Sequence, residues 1–461
     1  MTNLADHTAV DLLQAYRART LSPVEVTEAV LARIVASEPV LNAMWALDPE
    51  GAMAAARQSE ARWHAGTPAG ALDGVPITIK ENIATRGVPV PLGTAATELV
   101  PAKEDAPAAA RVREAGAVIL GKTTMPDYGM LSSGLSSFHK LARNPWNTAC
   151  NPGGSSAGAA SAAAGGYGPL HLGTDIGGSV RLPAGWCGIV ALKPSAGRVP
   201  VDPPYLGRVV GPMTRTVADT ALLMDVISAP DWRDHMSLPH AEIPWNDLGR
   251  DLRGMRIGLW MHPGIGLPAE PEVADCITEA ARRFEAAGAI VEPLAPFLTP
   301  EMLDGLDKFW RTRSWSDFIK LPADRRAKVL PYIRQWIETA DGIDGVTVMR
   351  GLNRIFEMSA AAVAACHPYD YVISPTAPMP SYQADWASPT NDPSRPFEHI
   401  GFTVAFNMSG QPAASVNAGY TSGGLPIGLQ IIGHRFDDLG VLQVARAWEG
   451  MRPAQRAWPV V

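Results

Sequence analysis

Three polar residues, Lys80, Ser155 and Ser179, stand where this sequence could do chemistry. Lys80 ends the apolar run Val75-Pro76-Ile77-Thr78-Ile79, and each serine closes a Gly-Gly-Ser motif, Gly153-Gly154-Ser155 and Gly177-Gly178-Ser179. A serine hydroxyl is inert at neutral pH without a base beside it. A lysine is a base only when uncharged, and burial behind an apolar strand disfavours the ammonium form and lowers its pKa. Together the three suit acyl transfer from an amide, which needs a sharpened nucleophile, a stabilised oxyanion and a proton for the departing nitrogen. Singly they are ordinary: a lone lysine is usually a solvated charge, and Gly/Ser-rich stretches are usually loops.

Two other motifs fail on context. Gly116-Ala117-Val118-Ile119-Leu120-Gly121-Lys122-Thr123 fits the phosphate-binding pattern GxxxxGK[ST], but its variable positions spell a strand, and Pro126 follows where a helix should be established. Gly154-Ser155-Ser156-Ala157-Gly158 fits the nucleophile elbow GxSxG, yet the loop Asn147–Gly153 precedes it instead of a strand. The histidines that could complete such a triad, His399 and His434, have no clear acidic partner in sequence.

The elements that must position the three residues alternate. Ser22-Pro23-Val24-Glu25 is a capping box opening a helix with Val26, Val30 and Ile34 on one face. A second helix is expected over Pro49–Ala65, and the β-rich run to Lys80 follows. Ala108–Ala115 reads as a helix and Ala117–Leu120 as a buried strand. Further along, helices are expected at Val217–Ile227, Val273–Ala287 and Leu439–Trp448. Strands are expected at Arg256–Trp260, Ala289–Val291, Tyr371–Ser374, Ala413–Val416 and Ile427–Ile432. Several helices should fill Thr299–Ala365, and Ala229–Asp251 reads as a surface insertion. This is an α/β pattern.

The composition of the 461 residues is globular, with 46% apolar and 18% charged residues. A net charge of −7 and no block of Lys or Arg argue against nucleic acid or an anionic membrane as partner. The opening residues lack a secretory signal and no apolar run reaches membrane-span length, so a cytoplasmic location is expected. Cys150, Cys187, Cys276 and Cys366 are far apart and form no CxxC pair, which favours free thiols over a disulfide or a metal set. No metal or cofactor is called for.

The two Gly-Gly-Ser motifs, extended to Gly153–Gly158 and Gly173–Arg181, closely resemble the signature of the amidase signature family of Ser-cisSer-Lys hydrolases. Gly74–Asn82 matches the family's lysine motif, and Asn144-Pro145-Trp146, Cys187-Gly188, Leu192–Ser195, Gly211–Asp219 and Gly424–Gln430 match its landmarks in order. Ala157 and Asn417 depart from the commoner Gly and Pro. The resemblance implies a central mixed, twisted β-sheet flanked by helices on both faces, in one domain over 1–461. Within it, 1–66 would be N-terminal helices, 67–228 the catalytic core, 229–366 a variable, mostly helical substrate-side region and 367–461 a return to the core sheet.

The same resemblance implies a relay in which neutral Lys80 takes a proton from Ser155, Ser155 takes one from Ser179, and Ser179 becomes an acyl-enzyme. It implies a cis peptide between Gly154 and Ser155, and an oxyanion hole from the N–H groups of Ile176, Gly177 and Gly178. Ser156, Thr174, Asp175 and Arg181 would support the loop, with Asp175 and Arg181 paired. Gly129, Met130 and Leu131 would lie beside the scissile bond. Leu182 and the uncharged Tyr128–Leu131 suggest an apolar pocket for a hydrophobic or aryl amide, with aryl carbamates, urethanes and esters sharing the chemistry. Met302, Phe309, Trp310, Trp315, Phe318, Trp336 and Met358 could form a lid or simply pack a core. The partner would be a small-molecule substrate, with a homodimer left open. Alternatives are one component of an amidotransferase that works on a tRNA-linked substrate, and a catalytically silent binding protein on the same fold.

Overall fold

The computed structural model describes residues 3–461. Lys80 closes a strand with all five residues buried, Pro76–Lys80, inside an 11-stranded sheet among the described residues. In chain order the strands are β1 (Met44–Leu47), β2 (Pro76–Lys80), β3 (Val118–Thr123), β4 (Leu170–Asp175), β5 (Val190–Lys193), β6 (Val209–Thr214), β7 (Arg256–Leu259), β8 (Ile290–Pro293), β9 (Tyr371–Pro375), β10 (Ala413–Tyr420) and β11 (Pro426–Ile432). In space they run β1-β3-β2-β4-β6-β5-β10-β11-β9-β7-β8. β2 pairs in parallel with both β3 and β4. From β4 to β9 the pairing is antiparallel, and it returns to parallel through β7 and β8.

Both faces of the sheet are covered. Val190 and Leu192 of β5 enter one core, while Ala191 between them joins Met213 in another, as the two-residue period of a strand requires. Helices Pro23–Leu41, Val217–Ile227 and Asp438–Met451 supply the first core. Ala157–Gly165 and Arg181–Cys187 supply the second.

The helix Pro23–Leu41 begins with both halves of its capping box in place: Ser22 Oγ accepts from Val24 N at 3.0 Å, and Ser22 N donates to Glu25 at 2.9 Å. Such a cap stabilises a helix by ~1 kcal/mol. Pro49–Ala65 and Val217–Ile227 form as their periodicity predicts, and four helices fill the 300–366 region. Residues 229–251 carry no helix or strand.

The Gly/Ser/Ala-rich stretch 151–188 is not loop throughout. It holds two buried helices and β4, because only small side chains let them lie this close. A Cβ on Gly158 would collide with the Ala43 carbonyl oxygen and with Thr124 N. The tempting Gly116–Thr123 motif is largely β3, with Lys122 buried against Thr85 Oγ1 and the Ile83 carbonyl. All four cysteines are free. No helix of the described residues is long and apolar enough to cross a membrane.

Candidate active site

β2 carries Lys80 to the C-terminal end of its strand, and the turn before the helix Ala157–Gly165 brings Ser155 and Ser156 to the same point. Lys80 Nζ lies 2.8 Å from Ser155 Oγ, 3.0 Å from Ser156 Oγ and 2.8 Å from Thr174 Oγ1. No solvent reaches Lys80. Burial brings its pKa down to about 7; the carboxylates of Asp175 and Glu81 oppose this, and the Arg208 charge adds to it. The Gly154–Ser155 peptide is cis. A Cβ on Gly154 would sit 2.6 Å from Ser133 N and O, so that position has no room for a side chain.

Ser179 lies in the loop between β4 and the helix Arg181–Cys187. Asp175, the last residue of β4, ties this loop together. It accepts from Gly178 N at 2.7 Å and Val180 N at 3.1 Å, and pairs with the Arg181 guanidinium, whose Nε is 3.0 Å away. Burial alone would raise the Asp175 pKa, but Arg181 and the Asn407 amide hold it well below the usual carboxylate range. Arg181, fully buried, also donates to the Thr403 carbonyl at 3.0 Å, Gln430 Oε1 at 2.7 Å and Asn407 Oδ1 at 2.6 Å.

Gly178, expected among the oxyanion donors, gives its N–H to Asp175 instead, with φ at 126°. The N–H groups of Ile176, Gly177 and Ser179 have no acceptor among the described residues. Ser155 and Ser179 both open into one cavity, without a hydrogen bond between their hydroxyls. Contacts of this kind commonly tighten only when substrate is bound.

That cavity, about 100 Å³, is also lined by Gly129, Met130 and Leu131. One wall is aromatic: Trp310 and Trp336 each meet Phe397 edge-on, with centroids 5.2 and 5.6 Å apart. Leu182 is not part of it. Its side chain is fully buried in the core beside Trp186 and Phe402, so the apolar character comes from the aromatics. Of the other candidate lid residues, Met358 is core. Sequence reasoning overlooked the role of Asn82, which donates to Thr174 Oγ1 at 3.1 Å, and set aside His399, which lines the cavity and meets Ser132 Oγ at 2.7 Å. Burial lowers His399 to about 3. His171 packs within the sheet against Thr78 Oγ1 at 2.7 Å, and the buried Cys187 thiol points at the Pro152 carbonyl. Among the described residues no group of three His, Cys, Asp or Glu side chains is placed to hold a metal.

The sheet thus sets hydroxyls and unpaired amides on one partly aromatic cavity, with the buried Lys80 amine behind Ser155. The Amidase family model matches residues 25–442. An acylamidase from Rhodococcus erythropolis is 32% identical over 98% of this chain and 96% of its own. A glutamyl-tRNA(Gln) amidotransferase component from Myxococcus xanthus is 34% identical over 97% of each chain. The crystal structure of a bacterial aryl acylamidase superposes with a TM-score of 0.90 at 30% identity, covering 97% of this chain and 96% of that one. The chain belongs to the amidase signature family and is an amide-hydrolysing enzyme.

Proposed function

We propose that the enzyme cleaves a hydrophobic or aryl amide through an acyl-enzyme on Ser179, with Ser155 and neutral Lys80 as proton relay. The observation that carries this is the buried Lys80 amine within 3.0 Å of three hydroxyls. A neutral amine has two N–H donors and one lone pair. Ser156 gives its own proton to the Thr174 carbonyl at 3.1 Å, so towards Lys80 it can only accept. Thr174 Oγ1 takes the other N–H. The lone pair is then left for the Ser155 proton.

Ser155, giving its proton to Lys80, takes the proton of Ser179 as the Ser179 oxygen bonds to the carbonyl carbon. The oxyanion meets the N–H groups of Ile176, Gly177 and Ser179, while Gly178 braces the loop through Asp175. On collapse the C–N bond breaks, the nitrogen leaves with the proton from Ser155, and Lys80 returns its proton to Ser155. Water then releases the acid. The aromatic wall of Trp310, Trp336 and Phe397 supports an aryl group beside the bond. Aryl carbamates and esters share the tetrahedral chemistry.

The test is amine or phenol release from an aryl anilide, a primary aliphatic amide, an aryl carbamate and an aryl ester, with wild type and Ser179→Ala. Turnover of the aromatic members that falls at least ~10³-fold in the variant is expected. Turnover that survives the substitution refutes the nucleophile, and silence on every member favours a narrow substrate outside the panel or a catalytically silent binding protein. A second reading, one component of a tRNA-linked amidotransferase, is favoured by the 34% identity with the Myxococcus xanthus protein. Ammonia release from glutamine, dependent on a co-purifying partner, would select it. The net charge of −7 without a basic block weighs against an RNA partner.

A further inference from the structure

The catalytic cavity, about 100 Å³, is small beside the roughly 300–1,000 Å³ common for sites that hold a whole drug-sized ligand. A second cavity, about 660 Å³, adjoins it and shares the side chains of Arg208 and Arg313 as wall. An elongated substrate with its amide at Ser179 that extends into the adjoining cavity runs beside these two arginines.

Their charges are unanswered. Neither has a carboxylate within salt-bridge distance among the described residues, whereas other arginines and lysines, such as Arg33 and Arg446, are paired. In the catalytic cavity the one acidic wall residue is Asp175, already committed to Arg181. In the adjoining cavity Glu98 pairs with Arg325 at 3.4 Å and Asp317 with Lys320 at 3.0 Å, while Asp202, the third acid of that wall, is exposed and forms no salt bridge with either arginine. Each guanidinium offers several N–H donors. Of all of them, one is used, from Arg208 to the Pro203 carbonyl at 3.3 Å.

Both heads are instead laid on one ring. Arg313 Cζ is 4.0 Å and Arg208 Cζ 5.5 Å from the centroid of Tyr205. The Tyr205 hydroxyl is itself buried without a hydrogen-bond partner. Two like charges held together in a half-buried wall repel each other, and burial with the Arg313 charge lowers Arg208 to about 10. An anion between them relieves both costs and accepts in the planar fork that guanidinium presents.

We propose that Arg208 and Arg313, braced on Tyr205, form the binding site for a carboxylate carried by the substrate at the end remote from its scissile amide. This rests on the acyl-enzyme reading above and narrows its substrate class to hydrophobic or aryl amides bearing an acid group. The acid sits on either the acyl or the amine half, and the test separates the two.

Aniline release is measured from N-phenylsuccinamate, with the acid on the acyl arm, and aminobenzoate release from 4-acetamidobenzoate, with the acid on the ring. Each is paired with its primary carboxamide. One carboxylate is expected to exceed its neutral partner in kcat/KM by about tenfold or more, and Arg208→Gln and Arg313→Gln each to cut that ratio by about 10–100-fold. Arg208→Lys and Arg313→Lys should keep part of it. Because the ratio is taken within one variant, a loss of folded enzyme cancels. Neutral anilides turned over as well as their acids, in wild type and variants alike, would leave the acyl-enzyme reading standing and remove the anion site. If no anilide is turned over, the aryl-amide reading fails and binding decides. Calorimetric titration of Ser179→Ala with 3-phenylpropionate and 3-phenylpropionamide should favour the acid about tenfold or more, with the preference lost on adding Arg208→Gln. Equal affinities overturn the proposal.

Discussion

Raising the pH from 6 to 8 should raise kcat/KM on an anilide about tenfold and then bring it to a plateau. In the proposed relay the active base is the neutral Lys80 amine, so the rate would follow its deprotonated fraction. With burial holding that amine at about 7, about a tenth of the enzyme is ready at pH 6, half at pH 7 and about nine-tenths at pH 8. A solvated lysine, near 10.4, would give a rise of about 100-fold over the same interval with no plateau below about pH 10. The position of the plateau is thus the measurement that separates a buried base from an exposed one. The assay is initial rates of amine release from pH 5.5 to 9.5 at constant ionic strength, taken as kcat/KM so that the free enzyme is reported. Circular dichroism at each pH checks the fold. Lys122 and Lys193 are also brought to about 7 by burial, so the midpoint is assigned by variants. Arg208→Gln removes a charge that lowers Lys80 and should move the midpoint upward. A midpoint above about 9, or a rate that falls between pH 7 and 9 while the fold holds, would refute Lys80 as the base.

Arg181→Met leaves the Asp175 carboxylate buried without its partner and should lower stability by about 3–5 kcal/mol, read by urea unfolding. Gly177→Ala adds a Cβ 3.2 Å from the Trp310 ring and 3.4 Å from Ile400. It should cut kcat/KM for aryl amides by ~10-fold while sparing acetamide, read in paired rate measurements. Asp219 is raised to about 7 by burial, so the folded chain holds a proton that the unfolded chain releases near pH 4. That contribution to stability is present at low pH and lost as pH rises through 7. Asp219→Asn should therefore gain on wild type between pH 5 and pH 8, on the order of a few kcal/mol, in denaturant melts at the two pH values.

Lys80, Ser155 and Ser179 could be singled out because several motifs, each ordinary alone, occur together and in order. The oxyanion loop was legible only in part: glycine freedom marks where amides can turn, but nothing in the sequence says that Asp175 takes the one from Gly178. Helices with strong caps and periodicity, such as Pro23–Leu41 and Pro49–Ala65, were readable locally. The helix Ala157–Gly165 was not, since buried on every side it has no polar face to set a period. Leu182 misled because one apolar side chain serves a core as well as a pocket. Asn82 and Gln430 lay inside recognised motifs without their contacts being evident, whereas Arg208, Arg313, Thr403 and Asn407 carry no local signal at all. Their meaning exists only once distant segments meet.

Arg181 is held by partners 222, 226 and 249 residues further along, in Thr403, Asn407 and Gln430. Gln430 belongs to β11, which with β10 joins the middle of the sheet and not its rim. A chain emerging from the ribosome therefore carries its amine and both serines long before anything grips the nucleophile loop. On this geometry the nucleophile loop is expected to gain its full set of contacts only when the last strands slot in. A stop codon between Ser179 and Gln430 is expected to yield a polypeptide with all three of these groups and no grip from Gln430 on Arg181.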